Sequence, residues 1–294
     1  MNQIKNPSIA VWGDGKPVLS ILPVLKENGI NIEYVKQDKK HVDSENFIKA
    51  VNDLGYQCYI EDYPNIDLDL VLTINYNRIV TDEQLKRYQF MNYHVGLLPK
   101  WRGNSANGWA VINGENEVGY TLHKIVPMLD DGPIYYQFKY PYHEGKTYVE
   151  AKQAMEIDLR ANIAEVIKNV VSNPQSFVDE SEKKYVYCSK FRPIDGVIKD
   201  WNITSEEIIR KLYVFGPPLG TGLKFTFKER EYEIRAVSRL PHFAESKGVH
   251  GGVVYIVNGS MWIKTLDSAI SIDEIFSNGE KIDISKNFII GQRL

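Results

Sequence analysis

Two cysteines in a chain of 294 residues leave little for thiol chemistry to do. Cys58 and Cys188 lie far apart and form no Cys-x-x-Cys pair, which argues against a disulfide scaffold or a thiolate zinc site and for a reducing compartment. Long apolar runs are missing as well. No stretch approaches the ~20 residues of a bilayer span, and the opening Met1-Asn2-Gln3-Ile4-Lys5 lacks the apolar centre of a signal peptide. The cytoplasm is therefore the expected location, with no membrane as partner. The chain also has no excess of positive charge: 35 Lys+Arg against 38 Asp+Glu give a formal net charge of −3. Tight nucleic-acid binders usually carry a basic face, because neutralised phosphates supply much of their affinity. DNA is thus not expected as a partner, tRNA is disfavoured, and small molecules are favoured. The six histidines include no His-Glu-x-x-His and no pair at ligand spacing, so no metal is expected.

What is present is the composition of a folded protein, 43% hydrophobic and 25% charged, on a chain long enough to bury a large core without staples. Residues 8–12 form a short apolar run closed by Gly13-Asp14-Gly15 and read as a buried first strand. Residues 17–28 follow with helical spacing, Val18, Ile21, Leu22 and Leu25 on one face and Gly29 as the stop. The alternation continues with a strand over 30–35, a helix over 44–54 capped by Ser44, strands over 56–60 and 68–74, a helix over 82–88 and a strand carrying residues 91–94. This order predicts an α/β fold, a doubly wound, mainly parallel sheet. A helix over 148–171 ends at Asn173-Pro174, and the charged residues 179–184 read as a surface linker. Beyond it come a helix over 205–214 and short strands over 223–227, 232–237, 253–257 and 261–266, the last pair joined by an Asn258-Gly259 hairpin turn. We therefore expect two domains, 1–185 and a smaller, mostly β C-terminal domain over 186–294.

Chemistry gathers after the fifth strand, where ligands of open α/β sheets sit. Asn92 and His94, two residues apart, project to one side. The glycine-bounded loop 96–103 follows, then a strand over 120–125, then Leu129-Asp130-Asp131-Gly132. An amide to donate to an oxyanion, an imidazole to handle a proton and a carboxylate to hold the imidazolium are what attack of an amine on a carbonyl needs. The sequence alone does not bring Asp130 beside His94. Other features read as inert. Gly13-Asp14-Gly15 lacks the third glycine of a dinucleotide fingerprint, and the glycine-rich 216–224 lacks Gly-Lys-Ser/Thr and reads as a turn. His123 reads more readily as a structural histidine than as one facing the site, and the aromatic run Tyr135, Tyr136, Phe138, Tyr140 and Tyr142 as strand packing more readily than as a wall for a substrate or an interface.

Five ordered blocks now become informative together: Asn-x-His, Leu-Leu-Pro-Lys-Trp-Arg-Gly, Trp-Ala-Val-Ile-Asn-Gly-Glu, Gly-x-Thr and Leu-Asp-x-Gly-x-Ile. In order and spacing they resemble the 10-formyltetrahydrofolate-dependent formyltransferases, a Rossmann-like family acting on methionyl-tRNA, glycinamide ribonucleotide or sugar nucleotides. The resemblance covers residues 8–237 and implies roles. Asn92 would polarise the formyl oxygen, His94 would act as base or acid, and Asp130, rather than its neighbour Asp131, would orient and charge His94. Residues 69–79 resemble the strand and loop lining the family's pterin slot, which places Tyr76, Arg78 and Ile79 on the formyl donor, with residues 126–129, Val126 and Leu129 among them, as the opposite wall. The implied cosubstrate is 10-formyltetrahydrofolate, with no metal.

The acceptor amine is read from differences. The methionyl-tRNA branch carries a Gly-Arg-Gly-Lys-rich loop after the second strand, whereas residues 36–43 here read Lys-Gln-Asp-Lys-Lys-His-Val-Asp. That branch also tends to Gln-Arg-Ala where this chain has Gly108-Trp109-Ala110. The purine-pathway enzyme usually lacks such a C-terminal domain. The sugar-nucleotide branch fits better, with Trp109 packing on the substrate and Arg102 meeting a phosphate. As readily, Trp109 is a helix residue packed on the sheet. The expected substrate is a nucleotide-linked amino-deoxysugar such as dTDP-4-amino-4,6-dideoxyglucose, for surface polysaccharide synthesis, and that branch implies a homodimer. Methionyl-tRNA and hydroxyornithine remain the alternatives.

Overall fold

The computed structural model describes residues 6–38, 44–143, 148–175, 177, 185–217, 220, 222–241 and 246–294. The linker expected over 179–184, and residues 39–43 of the loop compared above, lie outside them. Two compact units emerge: 1–107, 117–144 and 150–189 in the first, 108–116, 145–149 and 190–294 in the second.

The first unit is the expected α/β layer structure. Its first half alternates strand and helix except where β4 follows β3 directly: β1 (Ser8–Gly13), α1 (Gly15–Glu27), β2 (Asn31–Lys36), α2 (Ser44–Asp53), β3 (Cys58–Tyr59), β4 (Leu70–Ile74), α3 (Asp82–Arg87) and β5 (Phe90–His94). Then come β6 (Trp101–Gly103), α4 (Ala106–Ile112), β7 (Glu117–Lys124), β8 (Ile134–Pro141), α5 (Tyr148–Ser172) and β9 (Val186–Cys188). The main sheet runs β3-β2-β1-β4-β5-β7-β8. Its first five strands are parallel, and β7 and β8 are added antiparallel. β6 and β9 pair apart from it as a two-stranded parallel ribbon.

Local rules account for the boundaries. Helix α1 begins two residues before Pro17 because Asp14 caps it, accepting from the Gly15 amide at 2.6 Å. A proline in the first turn costs no helical bond, so Pro17 is harmless there. Thr81 and Gln84 close a capping box on α3. Strand β4 is buried at all five positions, as a central parallel strand must be. The aromatic run sits largely on β8, with Tyr135 and Tyr142 buried.

Charged side chains lie inside this unit. Lys36, only 3% exposed, lays its ammonium against the rings of Trp12, Tyr63 and Tyr76 at 4.7, 5.4 and 5.0 Å and donates to the Tyr76 hydroxyl at 2.9 Å. Burial, helped by nearby Arg78, pulls its pKa below the usual lysine value. Its neighbour Asp38, fully buried, accepts from the Asn77 amide at 3.0 Å and from Arg78 Nε at 3.0 Å. The end of β2 thereby clamps the loop after β4.

The second unit carries a sheet of order β10-β11-β12-β15-β14-β13, with β16 on β15. Its elements are β10 (Val197–Ile198), α6 (Ser205–Phe215), β11 (Leu223–Phe227), β12 (Arg230–Arg239), β13 (Val253–Val257), β14 (Ser260–Lys264), β15 (Ala269–Ser277), β16 (Glu280–Lys281) and α7 (Ile284–Asn287). Leu223, Phe225, Ile234, Ile263, Ile272 and Ile275 are buried at its centre. The Asn258-Gly259 turn has φ of 50° and 82°, the doubly left-handed geometry that suits a two-residue hairpin. Asn278-Gly279, at 51° and 81°, repeats it between β15 and β16, a hairpin the sequence analysis does not predict.

Candidate active site

A cleft of 560 Å³ opens in the first unit beyond the carboxyl ends of β4 and β5. Asn92, His94 and Asp130 all line it, and so do Tyr76, Arg78, Ile79, Val126 and Leu129. The structure thus gathers in one place all but two of the residues expected at the site. The exceptions are Arg102 and Trp109. Arg102 is 5% exposed, pairs with Asp131, donates to the Pro99 carbonyl at 3.1 Å and stacks over Tyr185 at 4.5 Å. Trp109 belongs to the second unit, where it meets Phe191 at 4.8 Å and packs against the core.

Asn92 sits on β5 with Thr73 of β4 as its register partner on one side and His123 of β7 on the other. The Thr73 hydroxyl donates to Asn92 Oδ1 at 2.8 Å, and Asn92 Nδ2 lies 3.1 Å from His123 Nε2. His123 Nδ1 is 2.9 Å from the Lys124 carbonyl, which can only accept, so Nδ1 carries the hydrogen and Nε2 is the acceptor for Asn92. Both Asn92 and His123 line the cleft. His123 is a site residue that the sequence reading discounts. The available signal was register: β7 pairs antiparallel with β5, and its histidine falls directly opposite Asn92.

His94 is held by the loop that follows it. Its Nε2 lies 2.7 Å from the Trp101 carbonyl and must donate, leaving Nδ1 toward Asp130 Oδ2 at 3.5 Å. Gly96 is required beside it, since a Cβ there would fall 2.5 Å from His94 Nε2 and 2.9 Å from the Trp101 oxygen. Asp130, in the left-handed region at φ 50°, accepts from the Gly103 amide at 2.7 Å through Oδ2 and turns Oδ1 to His123 Nε2 at 3.5 Å. One carboxylate therefore faces both imidazoles. Asp131, by contrast, is half-exposed and given to Arg102.

Burial is the largest influence on His94 and holds its pKa below the ordinary 6.5; Asp130 opposes this and His123 adds to it. Burial would raise Asp130, but the facing imidazoles of His123 and His94 and the Gly103 amide together bring its carboxyl below the usual 3.8. At neutral pH the pair rests as neutral imidazole and carboxylate. If His94 acts as a base, the rate should rise along an acid limb centred below pH 6.5 and stay level through neutrality; an acid limb centred above that pH would contradict this. Stability has the same sign. Between the two states' pKa values the unfolded histidine holds a proton that the folded one does not, and Asp130 behaves likewise in its lower window. Stability should therefore fall as pH drops through 6.5 and again below 3.8. Urea unfolding across that range checks it.

The rim is apolar. Ile79, Met128 and Leu129 are 88%, 59% and 58% exposed and line the same cleft. Large exposed apolar side chains around a concave polar site suit a flat, partly aromatic ligand. Among the described residues no group of His, Cys, Asp or Glu could hold a metal ion, and no helix is long and apolar enough to cross a membrane.

Comparison with known proteins gives the family. The formyl transferase domain model matches residues 21–167, and the formyl transferase C-terminal domain model residues 190–293. A methionyl-tRNA formyltransferase of Pelagibacter ubique is 29% identical over 234 residues, 78% of this chain and 72% of that one. Among solved structures, a sugar N-formyltransferase from a Shewanella species shares the fold with a TM-score of 0.65 at 18% identity, covering 80% of this chain and 99% of that one. The sugar 3N-formyltransferase WlaRD, solved with dTDP and 5-N-formyl-THF, has a TM-score of 0.63 at 17% identity, covering 96% and 99%. The chain also matches HypX of Aquifex aeolicus (TM-score 0.57, 18% identity) along 96% of its own length, but it spans only 47% of that protein. Both domain models cover their parts of the chain in order, and the protein is a formyltransferase, a member of the formyl transferase family.

Proposed function

We propose that the enzyme transfers the formyl group of 10-formyltetrahydrofolate to the amine of a nucleotide-linked amino-deoxysugar, such as dTDP-4-amino-4,6-dideoxyglucose, for surface polysaccharide synthesis. The observation that carries the chemistry is the juxtaposition of Asn92, His94 and Asp130 in one cleft. The apolar rim suits a pterin and p-aminobenzoyl body, and Tyr76, Arg78, Ile79, Val126 and Leu129 line the same cleft. When bound, the donor supplies an electrophilic formyl carbon and a nitrogen leaving group.

The residues then divide the work. Asn92 Nδ2 keeps one N–H beyond its contact with His123 and donates it to the oxygen as the neutral amine adds to the carbonyl. His94 accepts the proton that the amine loses, at the Nδ1 facing Asp130. Asp130 supports the resulting imidazolium, and the same pair returns the proton to the departing nitrogen as its bond to carbon breaks. Protons and bonds balance without any other reactant.

The sugar substrate is favoured by the full-length likeness to WlaRD and by the net charge of −3. A second reading, methionyl-tRNA as acceptor, is favoured by the Pelagibacter relative. One screen separates them. With 10-formyltetrahydrofolate as donor, dTDP- and UDP-linked 3- and 4-amino-6-deoxyhexoses, charged initiator tRNA and hydroxyornithine are offered in parallel, and products are read by mass. Formylated aminosugar is expected. Turnover confined to tRNA or hydroxyornithine would overturn the substrate assignment and leave the chemistry standing.

A further inference from the structure

A hydroxyl is out of place in the middle of the Leu70-Val71-Leu72-Thr73-Ile74 strand. Thr73 is 1% exposed on a strand buried throughout. Valine has the same shape and costs less to bury, so the oxygen calls for a use. Its one proton points to Asn92 Oδ1 at 2.8 Å, against 3.4 Å to the Met91 carbonyl. The contact belongs to a row across three neighbouring strands, Thr73, Asn92 and His123, all facing the cleft.

With His123 in its neutral form, the bonds of this row run in one direction. The Lys124 carbonyl makes His123 Nδ1 the protonated nitrogen, so Nε2 accepts from Asn92 Nδ2, and Asn92 Oδ1 receives the threonine proton. Flipping the amide would set Oδ1 against the lone pair of His123 Nε2 and leave the hydroxyl's proton without its near acceptor. The oxygen end is held by Thr73 alone among the described residues, since Asn92 has no other donor.

We propose that Thr73 is a positioning residue for formyl transfer: its hydroxyl fixes the rotation of the Asn92 amide so that the remaining Nδ2 hydrogen is presented to the cleft. Thr73 does not itself touch the reacting atoms. The inference rests on the reading of Asn92 as the oxyanion donor, and it assigns the work of preorganisation to a side chain on the neighbouring strand.

Two variants test it. Thr73→Val keeps shape and removes the proton; Thr73→Ser keeps the proton. With dTDP-4-amino-4,6-dideoxyglucose as acceptor, Thr73→Val should lose about tenfold in kcat with the donor KM unchanged, and Thr73→Ser should stay within about twofold of the parent. A second measurement needs no acceptor. In ¹⁵N-labelled enzyme the side-chain amide resonance of Asn92, assigned by its loss in Asn92→Asp, should keep its position in Thr73→Ser and move in Thr73→Val, where the donor to Oδ1 is gone. An unmoved Asn92 resonance in Thr73→Val overturns the proposal, as do equal losses in both variants or a loss confined to KM. If Asn92→Ala is inactive while Thr73→Val is fully active, the positioning role fails and Asn92 keeps its own. If Asn92→Ala retains turnover, the underlying reading fails first.

Discussion

Asn92→Ala should lower kcat by at least ~100-fold while leaving the cleft and the fold in place. The expectation follows from how little else in the cleft can replace it. Asn92 is half-buried between Thr73 and His123, and its amide presents a hydrogen-bond donor at the carboxyl end of a rigid parallel strand. His123 Nε2 is an acceptor in the resting site and cannot stand in for it. Water entering the space left by the amide would be mobile, and an unpositioned donor gives little stabilisation to a charge that exists only in the transition state. Circular dichroism and the donor KM should be near those of the parent, with the loss confined to turnover. A variant that retained most of its kcat would remove Asn92 from the chemistry.

Asp130→Asn should be nearly as damaging, for a different reason. The carboxylate is 8% exposed and faces His94 Nδ1 and His123 Nε2, each at 3.5 Å. Asparagine preserves the shape and an oxygen for the Gly103 amide, but a neutral amide no longer favours an imidazolium at His94. We expect a fall in kcat of ~100-fold or more. We also expect the acid limb of the rate profile to move further down in pH, because the charge that raises the His94 pKa has gone. The limb's displacement separates this explanation from simple misfolding, which would lower the rate without moving it. Asp131→Asn should leave the limb in place, since that side chain serves Arg102.

These residues were legible in the sequence to different depths. The alternation of the first unit is a matter of short-range pattern: caps at Asp14 and Thr81, a stop at Gly29 and short apolar runs that suit a buried parallel strand. Asn92 and His94 share a face by the period of two, a local property. The partnership of Asp130 with them is not local. It depends on β7 adding antiparallel beside β5 and on a left-handed residue at position 130, neither of which pattern announces. Thr73 and His123 escaped for the same reason, since a cross-strand row is invisible until register is known. Arg102 and Trp109 show the converse. Their residue types suit a phosphate and a sugar, yet tertiary contacts with Asp131 and Phe191 are what the structure gives them.

The small ribbon of β6 and β9 bears on how the enzyme can be dissected. Gly103, whose amide holds Asp130, lies on β6 in register with Cys188, and the pairing is tied off by Val186 N to Lys100 O at 2.6 Å and Asn104 N to Cys188 O at 3.1 Å. A fragment trimmed at residue 185, where the charge pattern alone suggests a border, would discard β9 and leave the strand under Asp130 with a bare edge. Extending the fragment by four residues, to the end of the first compact unit at 189, restores that edge. Choosing where to cut this protein is thus already a decision about its carboxylate.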